Sequence, residues 1–557
     1  MCRLLLKTKI EGERNLFEKA LSLMKNGGPD STRVLEYQDI LFGHNRLAII
    51  DPRPQADQPM VIEGNAILFN GEIYNYKELI KEHDLKPKTN CDTEVILLLY
   101  NLYGDISFEL LDGEYAIAIY DIDKNEIVLA RDPLGIKHLY WSDFNKELVV
   151  SSEIKGIVPF IGDLNMNNIE EWLTLGYTTG EETMYENIYK VEPNTIMRFS
   201  LDEDTSNSYQ RIKYDVLDIV DQNTDDLTEI EKTPITEVLH KAVGKRMMSD
   251  VPVSCTLSGG IDSSLVAYYM RMFSQTPVKT YTVGFEGCEN EFEQARQVSD
   301  LFGTDHTEVL ITIQDVIDNI DDIVKTMEEP IDRGSLIPTY FLARSIQEKV
   351  TLIGEGADEL FAGYSRHKWL NEHPHADFEE YFNQQLKSFK IDHLDYPSYL
   401  KSDIEQDKNN ALVFDLETEI PNYHTSRIDK CMMRFGVEAR VPFLDPLVVK
   451  KALSIPYEEK QSPEKKALRE AYRGILPDSI IDRPKKALKF PFHLLIQNEE
   501  VEKIIKEDND ETAKEIIEEL YKGLKRGDKD AGRNLWNLFL LKKWIKINQM
   551  PDYTPEN

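Results

Sequence analysis

Two units of different architecture are predicted: an α+β sandwich of stacked antiparallel sheets, then an α/β unit on a parallel sheet, ending in a helical part. Three observations carry this. Up to residue 153 the chain is a series of short β-type runs with few helices between them, which suits antiparallel sheets stacked face to face. From about residue 230 strands and helices alternate, the pattern of a parallel sheet covered by helices. The last third reads as helix, including an acidic run at 507–519 and an amphipathic stretch at 535–547 that is expected to pack in a core.

In the first unit the strand runs are 66–69, 115–120, 126–130 and 147–151, bounded by Gly, Asp and Asn. Helices are expected at 15–25 and at 92–102, where Asp92 and Glu94 suit a helix N-terminus. In the second unit the order is a helix ending at 249–250, strand 251–257, loop 258–262, helix 263–273, strand 279–285, helix 292–302 and strand 307–311. Another helix and strand 350–353 follow. These patterns divide the chain into 2–155, a connecting region 156–230 with acidic exposed loops at 202–207 and 221–226, and 231–550.

Composition narrows the function classes. The 557 residues are 41% hydrophobic and 29% charged, as in globular proteins. Lys plus Arg is 65 against 99 for Asp plus Glu, a formal net charge of -34. That surface repels nucleic acid and anionic membrane, so neither is expected as a partner. It also repels nucleotides at long range, so a nucleotide site must be locally positive or rich in backbone N–H groups. Five cysteines, far apart and without C-x-x-C, argue against a disulfide framework or zinc knuckle and for a reducing, cytoplasmic setting. The apolar start at 4–6 is broken by Lys7 and Lys9, and no run approaches the ~18 apolar residues of a membrane span.

Cys2 follows the initiator Met. With Met1 removed it would carry both a thiol and an α-amine whose ordinary pKa, about 7.7–8.0, suits a base for that thiol. A cysteine at position two is ordinarily incidental, and Asn70-Gly71 ordinarily marks a tight turn. Context changes both readings. His44-Asn45-Arg46-Leu47, Asn70-Gly71-Glu72-Ile73-Tyr74-Asn75 and Asp92-Thr93-Glu94 follow in order. With these residues the chain resembles the class II glutamine amidotransferases, which are N-terminal-nucleophile hydrolases of αββα architecture. The resemblance implies Cys2 as nucleophile and the Asn70 amide with the Gly71 N–H as oxyanion hole. It implies a glutamine pocket of Arg46, Leu47, Ala48, Ile49, Ile50, Asn70, Gly71, Glu72 and Asp92. Arg46 would hold the α-carboxylate and Asp92 the α-ammonium. Arg131-Asp132-Pro133-Leu134-Gly135 also matches and is expected to be structural or interfacial. One departure stands out: the usual H-R-G-P-D is here Asn26-Gly27-Gly28-Pro29-Asp30.

Ser258-Gly259-Gly260-Ile261-Asp262-Ser263-Ser264 lies between a strand and a helix, where free N–H groups and the helix dipole favour phosphate oxygens. It lacks the G-K-[ST] ending of a Walker loop. It is similar to the S-G-G-x-D-S signature of N-type ATP pyrophosphatases. Thr282-Val283-Gly284-Phe285, Ile353-Gly354-Glu355-Gly356-Ala357-Asp358-Glu359, the segment 436–445 and Glu464-Lys465-Lys466 follow. Together they make nearly the whole chain resemble the asparagine synthetase B family. That implies an ATP-binding set of Leu257, Ser258, Gly259, Gly260, Asp262, Ser263, Ser264, Val283, Ile353 and Gly354. It also implies Mg2+ on Asp262 and Asp358, Glu355 as an acid for forming and aminolysing β-aspartyl-AMP, and Lys465 to neutralise the leaving pyrophosphate. Ile353 stands where the family usually has Ser. Arg440 and Asp445 can be catalytic or structural. Expected partners are small molecules (glutamine, aspartate and ATP as substrates), and a homodimer is left open. Two alternatives stay open on sequence: glutamine-dependent amidation of another carboxylate, and a non-catalytic glutamine or nucleotide sensor.

Overall fold

Alternation along the N-terminal strands sorts their side chains into two cores. The computed structural model describes residues 2–9, 12–202, 209–213, 230–332, 334–384, 404–484, 490–507, 509 and 511–548. The expected loop at 221–226 and residues 203–207 of the other lie outside the described residues. Leu4 and Leu6 of strand Cys2–Thr8 face one core, with Phe42, Leu68, Ala118 and Leu129, whereas Leu5 faces another with Phe17 and Leu21 of helix Arg14–Leu23. Successive residues of a strand point to opposite faces, so a strand covered on both sides is apolar throughout.

Two six-stranded antiparallel sheets result. The first runs Tyr189–Lys190, Tyr140–Ser142, Val149–Ser151, Cys2–Thr8, Ile40–Arg46, Ser31–Tyr37; the second Tyr209–Lys213, Thr195–Ser200, Glu126–Arg131, Gly113–Asp121, Asn65–Ile73, Met60–Ile62. The second sheet turns Ile67, Phe69, Ile117 and Ile119 toward Val95, Ile96 and Leu99 of helix Asp92–Tyr103. The layers are therefore helix, sheet, sheet, helix. Residues 189–190, 195–200 and 209–213, within the expected connecting region, add strands to both sheets; Thr195–Ser200 pairs along the whole of Glu126–Arg131.

In the second unit five parallel strands lie in the order Asp305–Ile311, Lys279–Phe285, Val253–Thr256, Val350–Leu352, Glu438–Arg440. Strand order reverses at Val253–Thr256, and such a switch point opens a crevice at the carboxyl ends of the strands. Helix Lys529–Asn548 buries Leu535, Trp536, Phe539, Leu540, Trp544 and Ile547. No helix among the described residues is long and apolar enough to cross a membrane.

Buried contacts join the units: the ion pairs Arg246–Glu114, Arg440–Glu72 and Arg3–Asp429, each at 3.0 Å, and the Lys137 ammonium donating to the Ala439 carbonyl at 3.2 Å. Arg440 also donates to the Arg246 and Met248 carbonyls, while Asp445 pairs with Arg246 at 2.7 Å and caps helix Pro446–Ser454. Both therefore serve the junction between the units. Gly135 does too, its carbonyl accepting from Thr425 at 3.2 Å.

Candidate active site

The N-terminal constellation assembles on neighbouring strands. Cys2 is paired with Arg46 in the register of Cys2–Thr8 against Ile40–Arg46. Its backbone nitrogen, which becomes the α-amine once Met1 is removed, lies 3.0 Å from Asn70 Oδ1. That contact turns the other end of the amide, Asn70 Nδ2, into a buried donor with no partner among the described residues. Gly71 follows on the same strand. A Cβ there would sit 2.1 Å from the Glu114 carbonyl, so only glycine lets the adjoining strand approach. Burial pushes the Cys2 thiol up, partly opposed by a hydrogen bond from the Leu47 N–H.

Glu72 and Asp92 share this pocket. Burial and mutual repulsion raise Glu72 well above the carboxylate range, against the pull of Arg440. Burial also raises Asp92, although Ile73 N–H (3.1 Å) and Thr93 N–H (2.9 Å) donate to it. Glu72 already has Arg440 at 3.0 Å, so Asp92, with no ion-pair partner among the described residues, is the buried acid that favours a cation such as an α-ammonium. Arg46 is buried with its four terminal N–H groups already engaged: Asp57 at 2.6 Å and the carbonyls of Arg53, Ile50 and Asp51. A substrate carboxylate approaching the Nη groups would have to displace one of these, and Asp57 is their one ion-pair partner among the described residues. Leu47, Ile49 and Ile50 belong to the apolar core; Ala48 N–H donates to Asp30 and the Ile49 carbonyl accepts from Asp250. This stretch meets the nucleophile through its backbone.

The second constellation lines a cavity of about 1440 Å³ at the switch point. Leu257, Ser258, Gly260, Asp262, Ser263, Val283, Ile353 and Gly354 all reach its wall. Gly259 and Ser264 stand behind it. Gly259 has φ +72° and packs on helix Phe292–Phe302, where a Cβ would fall 2.6 Å from the Gln294 carbonyl carbon; Ser264 is fully buried. The Ser258 and Ser263 hydroxyls bond each other at 3.1 Å and so brace the loop.

Lys465 lies 2.6 Å from Asp262 and 2.8 Å from Asp358. Burial alone would lower this lysine, but the two carboxylates outweigh it and hold the ammonium above its ordinary value. A Cβ on Gly363 would fall 2.0 Å from Asp358 Oδ1, so the glycine keeps this cradle open. Glu355 accepts from His424 at 2.5 Å and from Arg427 at 3.0 Å. Burial would raise Glu355, but the Arg427 charge and the His424 contact bring it down to about 2. Burial would lower His424, but Glu359 and Glu355 raise it to about 9.

More than half of the chain, residues 234–546, matches the family model described as asparagine synthase, and residues 1–210 match the glutamine amidotransferase domain. The chain belongs to the asparagine synthase family. Within it, "Asparagine synthetase [glutamine-hydrolyzing] 1" of Bacillus subtilis is 29% identical over 98% of this chain and 95% of its own length. "Putative asparagine synthetase [glutamine-hydrolyzing] 2" of Methanocaldococcus jannaschii is 34% identical over 65% of this chain and 74% of its own. "Asparagine synthetase B [glutamine-hydrolyzing]" of Escherichia coli is 29% identical over 85% of this chain and 78% of its own.

This asparagine synthase-family site also contains residues that the sequence motifs do not mark. His424 ends a wide π-helical turn, Ile420–His424, and Arg427 lies on the next helix, Thr425–Met433. Arg366 pairs with Asp415 at 2.8 Å and Glu419 at 2.7 Å, and the Tyr364 hydroxyl donates to Glu359. Glu359, Glu419 and His424 are close enough to hold a metal ion. His424 Nε2 lies 3.2 Å from Glu359 and 3.8 Å from Glu419 within this trio. Only the nearness of Tyr364 and Arg366 to the 353–361 motif, and the charges of Arg427, Asp429 and Lys430 in an apolar stretch, hint at these groups in the sequence. Arg366, Arg427, Lys465, Arg469 and Arg483 also line the cavity, where Arg366, Arg427, Lys465 and Arg483 are each paired with a carboxylate.

Proposed function

We propose that this protein makes asparagine from aspartate, ATP and glutamine, with water consumed and glutamate, AMP and diphosphate released. The observation carrying this reading is the junction of Asp262, Asp358 and Lys465 beside Glu355 in one cavity, on a chain whose other unit holds Cys2, Asn70, Gly71 and Asp92 together. In the glutamine pocket Cys2 would attack the amide carbon while its own amine takes the thiol proton. Asn70 Nδ2 is a ready donor for the oxyanion, and Asp92 would receive the substrate ammonium; the amide C–N bond would break with the nitrogen leaving as ammonia on the proton held by the Cys2 amine, and water would release glutamate from the thioester.

In the cavity the aspartate side-chain carboxylate would attack the ATP α-phosphorus to give β-aspartyl-AMP, which ammonia then converts to asparagine. The loop after Leu257 would hold the β- and γ-phosphates, with Lys465 neutralising the departing diphosphate. Two carboxylates meeting at one point fit a magnesium ion, which commonly takes one or two carboxylates and completes its shell with phosphates and water. Asp262 and Asp358 would hold it, and it would offset phosphate charge there. A cytoplasmic setting agrees with five free cysteines.

Product analysis tests this reading. Glutamine, ATP, Mg2+ and aspartate should give AMP and diphosphate, with an oxygen label passing from the aspartate side chain into AMP. Cys2→Ala should lose glutamine-dependent synthesis yet keep the ammonia-dependent reaction. Stoichiometric ADP with no label in AMP would overturn the proposal, and efficient turnover of another carboxylate in place of aspartate would change the acceptor.

A further inference from the structure

We propose that Arg3 is a positioning residue that couples the glutamine pocket to the synthetase cavity; this rests on the function proposed above. Arg3 follows Cys2 on the same strand and is completely buried. Its Nε donates to Glu153 at 2.7 Å and its Nη2 to Asp429 at 3.0 Å, across 426 residues of sequence. Asp429 lies on helix Thr425–Met433, every residue of which is buried. Two positions earlier, Arg427 reaches Glu355 at 3.0 Å. Residues two apart on a helix point to nearly opposite sides. One short helix therefore presents Asp429 to the residue beside the nucleophile and Arg427 to the acid of the synthetase cavity.

The sequence makes room for this contact. A Cβ on Gly27 would fall 2.8 Å from Arg3 Cγ and 2.9 Å from its Nε, so Arg3 occupies the space that a side chain at position 27 would need. In the H-R-G-P-D pattern that this loop resembles, arginine stands at that position. Here Gly27 vacates it and the guanidinium arrives from position 3. Removing Arg3 leaves Glu153 with Lys155 at 2.8 Å, whereas Asp429 loses its only salt-bridge partner among the described residues. A buried ion pair is weak support for stability, and its better attested use is to fix one arrangement against others. The arrangement fixed here is the nucleophile strand against the helix that orients Glu355.

The test compares wild type with Arg3→Met and Asp429→Asn, measuring asparagine formed per glutamate released at saturating glutamine, aspartate and ATP. Synthesis from saturating ammonium is followed in parallel. Asparagine per glutamate should fall roughly twofold to thirtyfold in each variant, the range by which residues between coupled sites change coupling. Ammonium-dependent synthesis should stay close to wild type. The paired swap Arg3→Gly with Gly27→Arg should recover much of the ratio, and it also checks the idea if Arg3→Met does not fold. An unchanged ratio in Asp429→Asn and Arg3→Met, or equal loss of both activities in every soluble variant, would overturn the proposal. Wild type that forms no asparagine even from ammonium would instead sink the functional reading.

Discussion

Asn70→Ala separates folding from catalysis in the glutamine pocket. The substitution removes the acceptor of the Cys2 nitrogen, a 3.0 Å bond of a kind worth about 0.5–1.5 kcal/mol. It also removes Nδ2, a buried donor without a partner in the resting protein, a kind of group whose burial costs about 1–3 kcal/mol. These contributions oppose each other, so folding stability should change by between about 0.5 kcal/mol of loss and about 2.5 kcal/mol of gain. The barrier does not share that cancellation, because Nδ2 is satisfied only when the oxyanion forms. Loss of one such donor raises the barrier by about 2.7–4 kcal/mol, a fall of about 100- to 1000-fold in kcat. The assay is glutaminase turnover at saturating glutamine, with thermal unfolding and ammonium-dependent synthesis as controls. Asn70→Asp retains an acceptor for Cys2 and loses the donor, so it should be equally slow. A kcat within about tenfold of wild type in both variants would refute the assignment of Nδ2 to the oxyanion.

Two further substitutions probe the synthetase cavity. Gly363→Ala places a methyl group 2.0 Å from Asp358 Oδ1 and 2.5 Å from Lys465 Cε, so diphosphate release should fall by about tenfold or more while glutamine hydrolysis continues. Wild-type diphosphate release from a folded variant would refute that geometry. His424 has a folded pKa raised to about 9, so its stabilising contribution is complete below about pH 6.5, its unfolded value, and is lost as pH rises through 9. Glu355, depressed to about 2, has the opposite sign and loses its contribution only as pH falls from its unfolded value toward 2. The unfolding temperature of wild type should therefore drop across the alkaline range more steeply than that of His424→Gln; parallel curves would show that His424 is not the titrating group.

What could be read in the sequence depended on how locally each feature is encoded. Helix Asp92–Tyr103 and strand Lys279–Phe285 carry their own periodicity and end signals, so their limits follow from neighbouring residues. Asn70-Gly71 and the loop after Leu257 are legible because each function needs several specific residues in a row. Strand Glu438–Arg440 is three residues long and contains two charged side chains, and burial between other elements, rather than any alternation, makes it a strand. His424 and Arg427 were hidden for a similar reason. Their role comes from the reach of a π-helical turn and the following helix toward Glu355, a contact spanning about seventy residues that no local pattern records. Gly259 and Ser264 show that a residue of the phosphate-loop motif also meets packing demands the motif does not record: one lies against helix Phe292–Phe302 and the other is fully buried.

The arginines that meet Glu114 and Glu72 also bear on how the protein is born. Both carboxylates are buried in the N-terminal sheets, and their guanidinium partners come from positions 246 and 440. On the ribosome the first sheets emerge long before Arg440, and until it arrives Glu72 lies beside Asp92 without that counter-charge. The nascent glutamine pocket is thus electrostatically unfinished while the synthetic half is still being translated. Completion of the hydrolytic site is tied to the arrival of the segment that also closes the synthetase sheet, so a prematurely terminated chain is poorly equipped to hydrolyse glutamine to no purpose.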